Sequence, residues 1–275
     1  RAEASQKRIN EFFKQEPQIR NLREAPSSIQ GKITFESVDF TYPDTGIEAL
    51  SDVSFEIEPG QTLTILGKTG SGKSTILDLI PRLYDATSGT ILIDGIPVED
   101  LNLNSLRNAI GAVPQDAFLF SDTIESNIRF GKEEASMDEI QEVAKMAMVH
   151  ENIAGFSKGY QTVLGERGVT LSGGQKQRVS IARALLKDPV IYLFDDCLSA
   201  VDTETEEAIL ANLKKASRDK TTLIVSHRVS SAIHADKIIV LDGGKILQTG
   251  THDELMAQEG YYKELYINQL SEKES

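Results

Sequence analysis

The chain has 275 residues, enough for one large domain or two small ones, and its apolar and charged content is that of an ordinary globular protein. Its formal net charge of −13 argues against a general nucleic-acid-binding surface, because phosphate backbones attract basic patches. One cysteine, Cys197, excludes an internal disulfide and indicates a reducing compartment, and no apolar run approaches the roughly 20 residues of a membrane-spanning helix.

Residues 1–30 are polar and charged, and they predict a helix followed by a linker rather than the start of a compact domain. Pro17 ends the helical pattern. Its apolar stripe consists of Ala4, Ile9, Phe12 and Phe13. No signal peptide is recognisable, and the first residue is Arg1 rather than methionine, so we expect a piece of a longer chain.

Alternating apolar residues from Ile33 onward predict two strands, over 33–42 and 49–57. A hairpin around Asp94-Gly95, over 89–96, is a further strand signal. Together these runs predict a small antiparallel sheet beside a nucleotide-binding core.

A phosphate-binding pattern lies between the second strand and that hairpin. An apolar run at 63–66 predicts a buried strand, and the apolar spacing of 75–83 predicts a helix. Between them stands Gly67-Lys68-Thr69-Gly70-Ser71-Gly72-Lys73-Ser74, which matches G-x-x-x-x-G-K-[ST]. Glycines let backbone N–H groups converge on one anion, Lys73 can reach the β- and γ-phosphates, and the Ser74 hydroxyl can bind Mg²⁺. The alternative is a glycine turn that matches by chance.

The remaining elements alternate between strands and helices. The predicted elements are, in order, a strand at 110–113 ending at Pro114-Gln115, a helical insertion over 123–156, a long amphipathic helix ending at Pro189, a strand at 190–194, a helix at 204–213, a strand at 221–225, a hairpin around Asp242-Gly243-Gly244 and a helix at 252–270. Buried strands alternating with helices are typical of an α/β core.

A second glycine-rich helix start, Leu171-Ser172-Gly173-Gly174-Gln175, precedes the long helix. It offers backbone N–H groups and a helix dipole to an anion, and the alternative interpretation is a helix start for which Ser172 acts only as the cap. With this segment and the phosphate loop, the sequence resembles the nucleotide-binding domain of ABC transporters over about residues 33–270. In that family the segment is the signature, and it contacts the γ-phosphate of ATP held by the opposite subunit.

The resemblance implies an α/β fold with a P-loop NTPase (RecA-like) core sheet, an antiparallel β subdomain and an α-helical subdomain at about 116–170. It implies that 1–30 is the cytoplasmic end of a transmembrane helix plus a linker, and that 31–275 is the ATPase domain. The cofactors that it implies are ATP and Mg²⁺.

Site residues follow from the same resemblance. Asp195 ends an apolar strand as the Walker B aspartate does, and the implied metal ligands are Ser74, Gln115 and Asp195. The implied catalytic residues are Lys73, Gln115, Asp196 and His227. The implied nucleotide contacts are Tyr42, Gly67, Lys68, Thr69, Gly70, Ser71, Gly72, Lys73, Ser74, Thr75, Ser172, Gly173, Gly174 and Gln175.

Several of these residues also have ordinary structural interpretations. Tyr42, which would stack on adenine, has the alternative interpretation of a core aromatic. Gln115, the Q-loop glutamine of the family, is also an ordinary loop amide. His227, the switch histidine, is also a half-buried side chain at a strand end. Residues 199–202 resemble the D-loop of the dimer interface, but Asp202 is also a suitable helix cap.

Asp196 departs from the family pattern, which usually has glutamate there to polarise the attacking water. One fewer methylene withdraws the carboxylate by roughly 1–1.5 Å, and misplacement on that scale can cost about 10²-fold in rate. Two mechanisms remain open. The chain pairs with a different half-transporter and its own site is slow, which we favour, or Asp196 works in a homodimer after a small backbone adjustment.

Residues 118–131 and 165–168 resemble the segments that couple exporters to their membrane part. The expected partners are a second ABC ATPase domain, in a homo- or heterodimer, and a transmembrane domain of the same polypeptide, with no nucleic acid. The expected location is the cytoplasmic face of the plasma (inner) membrane. Two alternatives are a soluble ABC ATPase that acts on DNA or ribosomes, and a regulatory module that binds ATP without hydrolysing it.

Overall fold

The computed structural model describes residues 17–165 and 169–273, together with Gln6, Lys7, Asn10 and Phe13. Most of the apolar stripe predicted for the N-terminal helix, namely Ala4, Ile9 and Phe12, lies outside the described residues. The same holds for positions 166–168 of the segment 165–168. The division into a tail, an ATPase domain and a helical subdomain at 116–170 therefore stays a prediction.

Ten strands are assigned within the described part of the chain. They are β1 (Ile33–Thr41), β2 (Glu48–Ile57), β3 (Thr62–Gly67), β4 (Ser88–Ile93), β5 (Ile96–Pro97), β6 (Ile110–Val113), β7 (Ile191–Asp195), β8 (Thr221–Val225), β9 (Lys237–Asp242) and β10 (Lys245–Gly250). One sheet is antiparallel, in the order β2-β1-β4-β5, and the other has the order β10-β9-β3-β8-β7-β6. The predicted antiparallel sheet and both predicted hairpins are confirmed.

The larger sheet determines where the functional residues meet. β3 runs parallel to β8 and β9, and β7 runs parallel to β6 and β8. Asp195 at the end of β7 is the register partner of Val225 at the end of β8, and Val225 is the partner of Ile65 in β3. Parallel strands share one carboxyl edge, so the segments that follow β3, β7 and β8 converge there.

Among the described residues between 73 and 273, nine α-helices pack around these sheets. They are α1 (Lys73–Leu79), α2 (Leu103–Asn108), α3 (Ile124–Arg129), α4 (Met137–Met146), α5 (His150–Ala154), α6 (Gly173–Lys187), α7 (Thr203–Ala216), α8 (His252–Met256) and α9 (Tyr261–Lys273). Over residues 123–156 the regular elements are α3, α4 and α5, apart from one bridge between Thr123 and Val163. The predicted helical character of this stretch is therefore confirmed.

Two predicted helices end differently in the structure. The helix predicted over 75–83 stops at Leu79, and Leu83 lies beyond it and is exposed. Pro81 explains the stop, because proline has no backbone N–H to continue the helix. The helix predicted over 252–270 is divided into α8 and α9, with Gly260 at a φ of 152° just before α9.

Three apolar clusters fill the interior of the described residues. The first joins the antiparallel sheet to α1 and the large sheet, the second lies between α3–α7 and the large sheet, and the third lies beneath α8 and α9. The α/β class predicted from the sequence is confirmed. No helix in the described residues combines the length and apolar character needed to cross a membrane.

Candidate nucleotide site

The phosphate loop joins β3 to α1 in a backbone conformation that requires glycine. Gly67 and Gly72 have φ values of 152° and 97°. A Cβ at Gly67 would lie 2.2 Å from the Leu241 carbonyl oxygen, and one at Gly72 would lie 2.3 Å from that of Ala49. Side chains at these two positions would clash with backbone, so the loop shape depends on both glycines.

Lys73, the first residue of α1, folds its side chain back over this loop. Its ammonium donates hydrogen bonds to the carbonyl oxygens of Gly67 and Lys68, each at 2.8 Å. Burial lowers the pKa of Lys73, and the carboxylates of Asp196 and Asp195 oppose that shift. The buried Ser71 hydroxyl beside it has no hydrogen-bond partner in the described structure. An ammonium and an unpaired hydroxyl in one glycine cradle fit a phosphate group.

Two oxygen ligands suited to Mg²⁺ lie next to the loop. The Ser74 hydroxyl donates to Asp195 Oδ1 at 3.1 Å. Burial raises the pKa of Asp195, and the hydrogen bond from Ser74 opposes that rise. Among the described residues no group of three or more His, Cys, Asp or Glu could hold a metal. This donor set fits Mg²⁺, which usually binds one or two protein oxygens, several waters and substrate phosphates.

Gln115, the other predicted metal ligand, is not brought to this pair. It is exposed in the loop after β6, and within the described residues no hydrogen bond links its side chain to Ser74 or Asp195. Its backbone carbonyl instead lies 3.4 Å from the Gln177 amide nitrogen. Its predicted metal role stays a prediction.

Asp196 and His227 meet at the carboxyl edge of the sheet. Asp196 Oδ1 lies 2.8 Å from His227 Nδ1, with the aspartate side chain 18% exposed and the histidine 53% exposed. Asp196 has a left-handed φ of 41°, and its N–H donates to the Val225 carbonyl at 2.9 Å. The turn after β7 therefore directs this carboxylate toward His227, which lies two residues beyond the end of β8.

Tyr42 directly follows β1 of the antiparallel sheet, and its side chain reaches the first turn of α1. Its hydroxyl is 2.9 Å from Thr75 Oγ1. Its ring contacts Phe40 and Tyr84 edge-on, with centroids 4.8 and 5.6 Å apart. Tyr42 is therefore a half-buried aromatic beside Thr75, the residue that follows the phosphate loop. This position is compatible with stacking on adenine and with a core role.

The second glycine-rich segment forms the start of α6. Ser172 Oγ accepts from the Gln175 N–H at 3.3 Å, and the Ser172 N–H donates to Gln175 Oε1 at 3.0 Å, which completes a capping box. Gly174 is buried with its would-be Cβ 2.6 Å from the Ala200 carbonyl oxygen. Ser172 and Gly173 are exposed, so this helix start caps itself and remains accessible to a second molecule.

Gln177 is a residue at this site that the sequence analysis did not single out. It is 6% exposed on α6. Besides the Gln115 carbonyl, its amide nitrogen approaches Ser199 Oγ at 3.4 Å, and its oxygen accepts from the Ala200 N–H at 3.3 Å. The helical spacing could have indicated that Gln177 is buried. It lies three residues after Gly174 and four before Ile181, and residues at these spacings share one face of a helix.

Asp78 was also missed, and it leads to a prediction on pH. Burial, and secondarily the charge of Asp195, raises the pKa of Asp78 to about 6. Because the folded protein then holds a proton that the unfolded chain has released, Asp78 lowers stability as pH rises from about 4 to about 6. We expect Asp78→Asn to raise Tm at pH 7.5 by about 2–4 °C, equivalent to about 1 kcal/mol after allowance for partial exposure.

That gain should shrink toward pH 4, where the Asp78 carboxyl is protonated in the folded chain and increasingly protonated in the unfolded one. Thermal unfolding followed by circular dichroism from pH 4 to 7.5 measures both effects. Asp44→Asn, at an exposed turn, is the matched control and should give a small, flat difference. An equal gain at every pH for Asp78→Asn would contradict the assignment.

The loop, the oxygen pair and the edge of parallel strands define a phosphate-loop nucleoside-triphosphatase domain with a second, accessible glycine-rich helix start. The sequence profile described as "ABC transporter" matches residues 50–199. The chain belongs to the ABC transporter family. The matched range includes the phosphate loop, Gln115, the signature, Asp195 and Asp196, but not Tyr42 or His227.

Individual proteins that resemble the chain are described as ABC proteins as well. The chain is 47% identical over its full length to "Uncharacterized ABC transporter ATP-binding protein YfiB" of Bacillus subtilis (strain 168), and covers 48% of that protein. It is 47% identical to "ATP-binding cassette sub-family B member 6" of Xenopus tropicalis over 96% of this chain and 31% of that one. The solved structure "Structure of a bacterial Atm1-family ABC exporter with ATP bound" matches with a TM-score of 0.90 and 40% identity, over 97% of this chain and 47% of the other.

The matches also show how much of these longer proteins the chain corresponds to. It spans less than half the length of each of these relatives. The chain is an ATP-binding domain of the ABC exporter type, and domains of this family are ATPases.

Proposed function

We propose that this domain hydrolyses Mg-ATP and thereby drives export through membrane helices of the same polypeptide. The observation that carries the proposal is the convergence of Lys73, Ser74, Asp195, Asp196 and His227 around one edge of the large sheet. The reaction is ATP plus water to ADP plus phosphate. Closure on ATP and opening after hydrolysis would move the attached helices.

Each residue has a definite part in this mechanism. The Lys73 ammonium would exchange its two carbonyl partners for oxygens of the β- and γ-phosphates, while Ser74 and Asp195 hold Mg²⁺. The metal, when bound, neutralises charge on the phosphate oxygens. Asp196 would accept a proton from the attacking water, and His227, hydrogen-bonded to Asp196, would keep that carboxylate oriented. Tyr42 would stack on adenine.

A second ABC ATPase domain would complete the site. Exposure of Ser172 and Gly173 supports a head-to-tail sandwich, in which this helix start contacts the γ-phosphate bound by the other domain. The other domain is either a second copy or a related subunit. The location that we propose is the cytoplasmic face of the plasma (inner) membrane.

An exposed aromatic cluster supports attachment to a membrane part. Phe118, Phe120 and Phe130 are 65%, 40% and 69% exposed, and the centroid of Phe120 lies 5.1 and 5.0 Å from those of the other two. The Arg183 guanidinium lies 5.7 Å from two of these ring centroids. Grouped exposed aromatic rings are typical of an interaction surface.

Substitution of the signature serine tests the sandwich. We expect Ser172→Arg to leave ATP binding by the chain within about twofold, because the nucleotide lies against the phosphate loop of the same domain. Hydrolysis by the assembled full-length transporter should fall at least about tenfold, because the bulky cation displaces a helix start that acts on the opposite ATP.

Ser157→Arg, at an exposed position of the helical region, is the matched control and should change neither quantity. ATP binding is measured by fluorescence titration and hydrolysis by phosphate release. Unchanged hydrolysis by correctly assembled Ser172→Arg would exclude the head-to-tail site.

A further inference from the structure

An ion pair between a buried carboxylate and a partly exposed arginine begins one residue beyond His227 along the chain. Glu206, in the first turns of α7, is 1% exposed and pairs with Arg228, the residue after His227. The Ser230 hydroxyl donates to Glu206 at 2.6 Å. A carboxylate at this depth requires such partners, because an unpaired buried charge costs several kcal/mol.

The same guanidinium also holds the loop between β7 and α7. Arg228 donates to the carbonyl oxygens of Ser199 at 3.3 Å and Val201 at 3.4 Å. Arginine can make these contacts at once because its donors form a rigid planar fork. Arg228 therefore connects the end of β8 to residues 199–202, which we call the 199–202 loop.

The 199–202 loop is in turn tied to the backbone of Asp196. The Ser199 hydroxyl donates to the Asp196 carbonyl at 2.9 Å, and the Ser199 N–H donates to the same oxygen at 3.3 Å. From the opposite side, Gln177 contacts Ser199 and Ala200. Displacement of the loop would thus act on the turn that keeps Asp196 at its left-handed φ.

We propose that Arg228 is a positioning residue for ATP hydrolysis. Anchored on Glu206, it fixes the 199–202 loop against the end of β8, and so holds the carboxylate of Asp196 at hydrogen-bond distance from His227. This inference rests on the proposed function, because it assigns Arg228 to the hydrolytic step at this site. Arg228 acts through Asp196 and His227 rather than on the nucleotide.

The test compares kinetic constants of the assembled full-length transporter. Arg228→Met keeps the length and apolar stem of the side chain but removes its donors. We expect kcat to fall at least about tenfold, because a shift of about 1 Å at the reacting group has effects of this size or larger. KM for ATP should stay within about twofold. Arg218→Met, at an exposed position after α7, is the matched control and should change neither constant.

Two further variants separate positioning from folding. Arg228→Lys retains the charge for Glu206 but not the fork, and should recover part of kcat. In an Asp196→Asn background, Arg228→Met should add less than about twofold further loss, because residues that act as a unit are not additive. A full tenfold loss in that background would overturn the proposal, as would unchanged kcat in Arg228→Met.

Glu206→Gln is the substitute test if Arg228→Met does not fold. The glutamine side chain has the same shape as glutamate, and its oxygen still accepts hydrogen bonds. A selective fall in kcat supports the positioning role, and unchanged kinetics overturn it. A wild-type transporter that binds ATP without hydrolysing it would instead refute the proposed function, and the inference with it. A wild-type enzyme that is active while both variants keep full kcat refutes the inference alone.

Discussion

Lys73→Ala is expected to reduce ATP hydrolysis by the full-length protein about 10²–10³-fold, the scale found when one preorganised electrostatic contact to a reacting group is lost. The ammonium is already held inside the loop by two carbonyl oxygens at 2.8 Å. Alanine would leave those carbonyls facing the phosphates without a cation between them. ATP affinity should therefore fall together with turnover.

Lys68→Ala is the matched control, since both residues are lysines of the same loop. The Lys68 side chain is exposed, and its predicted contact with phosphate uses the backbone N–H. We expect a change of less than about threefold in either quantity. Phosphate release and equilibrium binding of ATP, measured on the same preparations, distinguish the two lysines. Equal losses in both variants would show that loop charge in general, rather than the Lys73 position, is what matters.

Local patterns explain why much of the fold could be predicted. The phosphate loop lies within one strand–turn–helix unit, and hairpins such as the one at Asp94-Gly95 depend on adjacent residues. The buried parallel strands are short apolar runs between turn signals. One local error, the early end of α1, has a local cause as well, because Pro81 interrupts the apolar spacing that extended to Leu83.

Contacts between residues far apart in the sequence could not be predicted from local patterns. The pairing of Asp196 with His227 depends on β7 and β8 being neighbours in register, and no helical or strand period encodes that adjacency. Glu206 belongs to a run of acidic residues at the start of α7, a pattern typical of an exposed helix face, but it is buried against Arg228. Asp78 likewise lies on a helix whose buried face was read only from its apolar residues.

The contacts of Asp196 bear on whether this domain is a fast or a slow ATPase. Its carboxylate reaches His227 at 2.8 Å, and the left-handed turn that directs it there is anchored on Val225. A glutamate at this position would carry the carboxylate roughly 1–1.5 Å further from the backbone, a distance that can change a rate by about 10²-fold. Reach therefore matters more than basicity, which is similar for the two acids.

We therefore expect Asp196→Glu to raise steady-state Mg-ATP hydrolysis by the full-length protein, purified alone, about tenfold or more over the native enzyme. Asp195→Glu makes the same change one residue earlier, where the longer side chain would crowd the oxygen pair formed with Ser74, and it should lower the rate instead. A gain of this size for Asp196→Glu would identify the native site as slow, and native mass spectrometry should then show a second kind of subunit. If the native protein is already fast and glutamate adds little, Asp196 itself is the working base, and a homodimeric exporter becomes the better description.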